Sequence, residues 1–278
     1  MAAADGLAIV AGRGELPRLL AEKEAARGGS YRIVQFEGVE LDWSDGHPVI
    51  HALFEKPGRL FARLREAGCR RVVFAGGMVR PELKPFRFDL KMLKLAPMVM
   101  STLRSGDSTT LQTVVRIFEA EGMTVVAAHD LLPDLLVHEG SAGRVHPGEN
   151  DLKDMERARG IVDAMGVADV GQATVVARGI CLGVESIQGT DAMLKFVADT
   201  RTDNSDGTRV GVLYKAPKPG QDWRMDLPVI GRATVENAAR AGLAGIAVQA
   251  GGVMMLGREE TVSTADRHGV FVYGLGGR

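Results

Sequence analysis

The chain has 278 residues, enough for one large domain or two modest ones with a core each. It is 45% hydrophobic and 25% charged, the composition of a soluble globular protein, and its net charge of −1 gives no footing for a nucleic-acid partner. Cys69 and Cys181 lie far apart without CxxC spacing, which argues against a disulfide framework or a thiolate zinc site and fits a reducing cytoplasm.

MAAADGLAIV at the N-terminus has no basic region ahead of its apolar one, and no stretch reaches the length of a membrane span. The expectation is a soluble, cytoplasmic protein. GLAIVAG (6–12) reads as a strand, ELPRLLAEKEAARGG as a helix closed by glycine, and YRIVQFE (31–37) as a second strand. PGRLFARLREAGC (57–69) is a helix with proline at its start and Leu60, Phe61 and Leu64 at helical spacing. RVVFAGG (71–77) is a third strand, and two more helices lead to MTVVAAH (123–129) as a fourth. Strands joined by crossover helices imply a parallel, Rossmann-type sheet.

Residues 131–151 are rich in glycine, proline and polar side chains and read as a linker. Beyond it come a helix (152–165), a hairpin turning at Arg178-Gly179, a helix at TDAML, the strand RVGVLY (209–214), a helix from Val235, a hairpin at GIAVQAGGVMML, and a last helix and strand. The predicted fold class is therefore α/β: a Rossmann-like N-terminal domain over 1–136 and a C-terminal α+β domain with antiparallel pairing over 137–278.

Two glycine turns follow strands in the first half. AGRGELP offers Gly12 and Gly14 before a helix N-terminus, where a backbone approaches a phosphate, although Pro17 replaces the last glycine of the dinucleotide fingerprint. Glu37, ending the second strand, is positioned to hold a ribose. FAGGMVRP adds Gly76, Gly77 and Arg80 at the same sheet edge; the alternatives are a plain strand-to-helix turn at the first and an ordinary exposed arginine before proline at the second. Asp107 opens a helix as a cap, and the Met- and Leu-rich stretch 90–103 is core or a surface for varied apolar ligands.

The densest chemistry follows RVGVLY. KAPKPGQDWRMDLPVIG places Lys215, Lys218, Asp222, Arg224 and Asp226 among Pro217, Pro219 and Pro228. Prolines lower the entropic cost of fixing charged groups, lysine and arginine neutralise phosphate, and carboxylates bind magnesium or orient water. ESIQGTDAMLKF contributes Gly189 as a bend, with Thr190 or Asp191 capping the next helix or holding a cation or water.

These two motifs, with AGRGELPRLL, GDSTTLQTV and AARAGLAGIAVQAGGVMML, resemble the LpxI-type UDP-2,3-diacylglucosamine pyrophosphatases of lipid A biosynthesis, in order along nearly the whole chain. The resemblance implies a Rossmann-like domain and a second domain holding the lipid substrate between them. It implies hydrolysis of UDP-2,3-diacylglucosamine to UMP and 2,3-diacylglucosamine 1-phosphate (lipid X) with Mg2+. The family's essential aspartate falls on Asp226, its GTD on Gly189, Thr190 and Asp191, and its KxPKP element on Lys215 and Lys218. This chain has Gly106-Asp107-Ser108 where members read GDD, Val229 where they read threonine, and Gln188 where they read glutamate.

The expected site comprises Asp226, Asp191 and Lys215 in catalysis and Asp226 with Asp222 on magnesium. Gly12, Gly14, Gly76, Gly77, Arg80, Gly189, Thr190, Lys218 and Arg224 are expected around the substrate. The acylated substrate implies peripheral contact with the inner membrane, and the second domain's hairpins suggest a homodimer. The competing readings are an NAD-dependent oxidoreductase, from AGRG and Glu37, and a carrier that binds a nucleotide-sugar or lipid without cleaving it.

Overall fold

The structure, a computed structural model, describes residues 5–78, 82–102, 107–202 and 208–277, with the backbone alone at 100–102 and 107–109. Two compact units form: Met1–Leu132 with Asp222–Asp226, and Pro133–Gln221 with Leu227–Arg278.

The first unit alternates strand and helix: β1 (Gly6–Ala11), α1 (Leu16–Ala26), β2 (Tyr31–Phe36), β3 (Val49–Ala52), α2 (Pro57–Glu66), β4 (Cys69–Ala75), α3 (Leu90–Thr102), α4 (Asp107–Ala120), β5 (Thr124–Val125) and α5 (Ala128–Leu131). The five strands are all parallel in the order β3-β2-β1-β4-β5. Every residue of β1 is buried, as expected of a central strand covered on both faces. Proline opens α1 and α2 in their first turns, where its missing N–H costs nothing. Phe118 of α4 sits edge-on to Phe61 of α2 and Phe74 of β4, with centroids 5.0 and 5.1 Å away, tying helices to sheet.

Two elements differ from expectation. β3 has no strong sequence signal because only Ile50 of its four residues is buried. MTVVAAH contributes a strand of only Thr124–Val125. The Ala127 N–H donates to the Asp130 carboxylate 3.4 Å away, and the chain turns into α5 instead of extending.

The second unit contains β6 (Gly140–Ser141), α6 (Glu149–Val167), β7 (Ala173–Ala177), β8 (Ile180–Val184), α7 (Thr190–Thr200), β9 (Val212–Lys215), β10 (Val229–Ile230), α8 (Arg232–Arg240), β11 (Gly245–Gln249), β12 (Met254–Met255), α9 (Arg258–His268) and β13 (Phe271–Leu275). Its six-stranded sheet runs β6-β13-β11-β9-β7-β8. The central trio β9, β11 and β13 is parallel, and β6, β7 and β8 join antiparallel at the two sides. One face packs Val235 and Ala238 of α8, Ala265 of α9 and Leu194 of α7. The other packs Met155, Ala158 and Val162 of α6 against Val176, Val212 and Tyr214.

The β7–β8 hairpin turns at Arg178-Gly179 as the sequence indicates, both with positive φ. Buried Asp154 of α6 accepts both their N–H groups, at 2.9 and 2.7 Å. The expected GIAVQAGGVMML hairpin does not form. β11 pairs in parallel with β9 and β13, while β12 pairs with β10 in a separate two-stranded sheet. The supposed linker also carries structure, because Val137 is fully buried and β6 pairs with β13.

At the C-terminal edge of the first sheet the two glycine turns are bound to each other. Gly12 N–H donates to Ala75 O (2.7 Å), Arg13 N–H to Gly77 O (2.9 Å) and Gly77 N–H to Arg13 O (3.0 Å). A Cβ at Gly76, where φ is +84°, would lie 2.4 Å from Arg13 O. Gly28 also has positive φ, but nothing lies within 4 Å of an added Cβ. Both alanines cost about 1–3 kcal/mol in conformation, and Gly76→Ala is expected to lose more stability than Gly28→Ala because it must also displace a backbone segment. Thermal unfolding of both variants checks this; equal losses would mean that the turns do not depend on close approach.

Candidate functional site

In the second unit, the strand before the charged segment runs one residue further than the sequence suggests, so that Lys215 is the last residue of β9 and not the first of a loop. Only 7% of it is exposed. A buried ammonium needs hydrogen-bond acceptors, and Lys215 Nζ donates to Thr190 Oγ1 at 2.9 Å. Thr190 Oγ1 donates in turn to Glu185 Oε1 at 2.8 Å. Glu185, also 7% exposed, accepts the Gln172 N–H on its other oxygen at 3.3 Å. Two motifs 25 residues apart thus meet at the start of α7.

Neither Thr190 nor Asp191 caps α7. The N-cap is Gly189, with φ +86°, and no side chain makes a capping hydrogen bond there. Thr190 is committed to Lys215 and Glu185, while exposed Asp191 accepts the Asn237 side-chain amide of α8 at 2.7 Å. Both polar groups are therefore turned toward neighbouring elements, beside a helix start that favours negative charge.

After Lys215 the prolines pack against positions without side chains. A Cβ at Gly252 would lie 3.1 Å from Pro217 Cδ, and one at Gly166 would lie 2.5 Å from Pro219 Cδ. Lys218 Nζ bonds Asp169 Oδ1 at 2.7 Å. The stiffness inferred from the proline content thus has a packing basis. Much of the segment's charge is internally neutralised.

Asp222–Asp226 belongs to the first unit. Asp222 receives Arg224 Nε at 3.0 Å on one oxygen and Nη2 at 2.7 Å on the other, with the Arg224 N–H adding a 3.0 Å bond. Arg224 also reaches Glu119 of α4 at 2.9 Å. Asp226 is exposed, and its N–H bonds the Asp222 carbonyl at 3.3 Å.

The first unit carries the glycine turns. A cavity of about 700 Å³ opens beside β1, lined by Gly12, Arg13, Gly14, Arg18, Asp42 and Trp43 among others. Gly76 and Gly77 form the partner turn and do not line this cavity. Glu37 holds Arg87 through two bonds, 2.8 and 3.2 Å, instead of facing the glycine loop as a ribose-binding acid. Arg80 and the side chain of Asp107 lie outside the described residues.

Magnesium commonly takes one or two carboxylates and fills its shell with water and substrate phosphates. Of the two aspartates expected to hold it, Asp222 has both oxygens on Arg224, and Asp226 is exposed. The donor set therefore fits an ion carried largely by phosphates. No group of three His, Cys, Asp or Glu side chains suited to a metal occurs among the described residues. Sequence reading missed Glu185, Asn237 and Asp169, which hold Thr190, Asp191 and Lys218. Glu185 had one sequence signal, a carboxylate directly after a predicted strand and five residues before the threonine of the motif.

The Arg224 hydrogen bonds hold the Asp222 carboxyl below its ordinary value, against the opposing effect of burial. A carboxylate with a lowered folded pKa contributes stability above its unfolded pKa and loses it as pH falls through the folded one. Arg224 is well exposed, so the pair is worth no more than about 1 kcal/mol. Asp222→Asn is expected to melt slightly below wild type at neutral pH. The two melting curves should converge as pH drops below the ordinary aspartate value near 3.8, a comparison that circular dichroism can make.

The family model for the LpxI N-terminal domain matches residues 6–135, and that for the LpxI C-terminal domain matches residues 138–273. The chain is 37% identical over 271 residues to the UDP-2,3-diacylglucosamine pyrophosphatase LpxI of Caulobacter vibrioides, with 97% of each chain covered. Its glycine turns, its Thr190–Lys215 contact and its proline-pinned segment are thus features of a chain that belongs to the LpxI family.

Proposed function

We propose that this chain hydrolyses the pyrophosphate bond of UDP-2,3-diacylglucosamine in lipid A biosynthesis, releasing UMP and 2,3-diacylglucosamine 1-phosphate. The observation that carries this reading is likeness along nearly the entire chain to a relative of that activity. Water adds across the P–O–P link: its oxygen joins one phosphorus, the bridging oxygen leaves with the other, and a proton is released at neutral pH.

Such a reaction needs charge neutralisation on two phosphates and a placed water. Lys215, held at Thr190, is a fixed positive charge for a phosphate oxygen. Asp226 would hold magnesium, which when bound supplies positive charge to the phosphates and acidifies water. Asp191, fixed by Asn237, is the carboxylate for orienting a water. Gly189, at the start of α7, would bind substrate there, with Thr190 behind it holding the Lys215 ammonium.

The first unit carries an exposed apolar stripe. Phe86, Leu90, Leu93 and Met98 are exposed on and just before α3, flanked by exposed Lys84 and Lys94. Each methylene removed from water contributes about 0.8 kcal/mol, and lysines favour anionic headgroups. This stripe supports peripheral contact with a lipid surface. No described helix is long and apolar enough to cross a membrane.

Incubation with UDP-2,3-diacylglucosamine and magnesium is expected to yield UMP and lipid X in equal amounts, and chelation to stop the reaction. Asp226→Ala is expected to abolish turnover with an unchanged melting curve. Full activity in folded Asp226→Ala would remove that residue from the mechanism. Tight binding without UMP release would favour the carrier reading, and saturable NAD binding the oxidoreductase.

A further inference from the structure

We propose that Glu185 is a positioning residue for the reaction, fixing the Lys215 ammonium through the Thr190 hydroxyl. This rests on the pyrophosphatase reading and on Lys215 serving the phosphates.

Burial alone makes Glu185 unusual. Its chain neighbours Val184 and Ser186 are exposed, yet its own carboxylate is withdrawn from water. A buried carboxylate costs free energy unless hydrogen-bonded, and each Glu185 oxygen has a donor: Thr190 Oγ1 at 2.8 Å and the Gln172 N–H at 3.3 Å. The backbone holds it as firmly. Glu185 N–H donates to Ala173 O at 2.8 Å, and Gly171 lies so close that a Cβ there would be 2.1 Å from Glu185 O. The backbone that carries the carboxylate is thus fixed at both its N–H and its carbonyl.

The consequence follows from proton counting. A threonine hydroxyl has one proton and two lone pairs. A carboxylate accepts only, so the proton points to Glu185 and the lone pairs remain for Lys215 Nζ, 2.9 Å away. The order Lys215 to Thr190 to Glu185 has a single sense, and each bond strengthens the next. Without the carboxylate, the hydroxyl is free to rotate and offer its proton elsewhere. The ammonium then loses an oriented acceptor inside a site where it is 7% exposed. Glu185 therefore acts on the geometry of the charge and does not itself touch the substrate.

The test is a double-mutant cycle on the full chain, with UMP release as the readout and melting curves as the folding control. Glu185→Gln keeps the shape but offers an amide that donates as well as accepts. Thr190→Val removes the hydroxyl. Each is expected to lower kcat by about 10- to 100-fold, the scale of a misplaced catalytic group, with KM changed far less. The double variant should be no slower than Thr190→Val alone, and Thr190→Ser should recover most of the loss. Losses that multiply in the double variant, an effect on KM alone, or wild-type kcat in either single variant would overturn the inference. If Glu185→Gln does not fold, Thr190→Val against Thr190→Ser decides, because a wild-type kcat in Thr190→Val breaks the chain at its middle. Failure of the underlying reading looks different: wild-type protein releases no UMP, or Lys215→Ala turns over at the wild-type rate.

Discussion

A charged amine at the end of a buried strand must be met by acceptors inside the protein, and that requirement organises the second unit. Lys215 lies on β9 between β7 and β11, so its backbone position is fixed by the sheet. Its head reaches Thr190 only because α7 begins there, and α7 begins there because Gly189 allows the bend with its positive φ. Glu185 stands at the far end of the same run of hydrogen bonds, held by its carbonyl's closeness to Gly171. Four stretches of sequence, 171–173, 185, 189–191 and 212–215, are needed to satisfy one ammonium.

Much of this architecture was legible from sequence, for identifiable reasons. Apolar runs such as GLAIVA and YRIVQF, with helix-period segments between them, read directly as a parallel sheet. The Arg178-Gly179 turn is equally readable, since Gly179 between two apolar runs accepts the positive φ that a tight hairpin needs. What escaped was set by tertiary contact. The four-residue β3 buries one side chain and so has no period. GIAVQ and MM are separated by glycines that look like a hairpin, but neighbours elsewhere in the chain take their edges.

The site followed the same division. Motif residues stand out in the sequence because charge and proline are dense at 215–228, whereas the residues that hold them are hidden by distance along the chain. Asp169 lies 49 residues from Lys218, and Asn237 lies 46 from Asp191. Nor does the sequence tell a charge meant for a substrate from one spent at home. Asp222 and Arg224 look like ligand-binding groups when read in line, yet they bind each other through two side-chain contacts.

The stitched turns after β1 and β4 have a mechanical meaning. Three backbone bonds join residues 12–13 to 75–77, and neither loop can shift without carrying the other. The rim of the first sheet at that point behaves as a single stiff lip. A molecule settling into the neighbouring hollow between this lip and Trp43 meets a wall whose form was fixed when the sheet folded, so little ordering is left for the moment of capture.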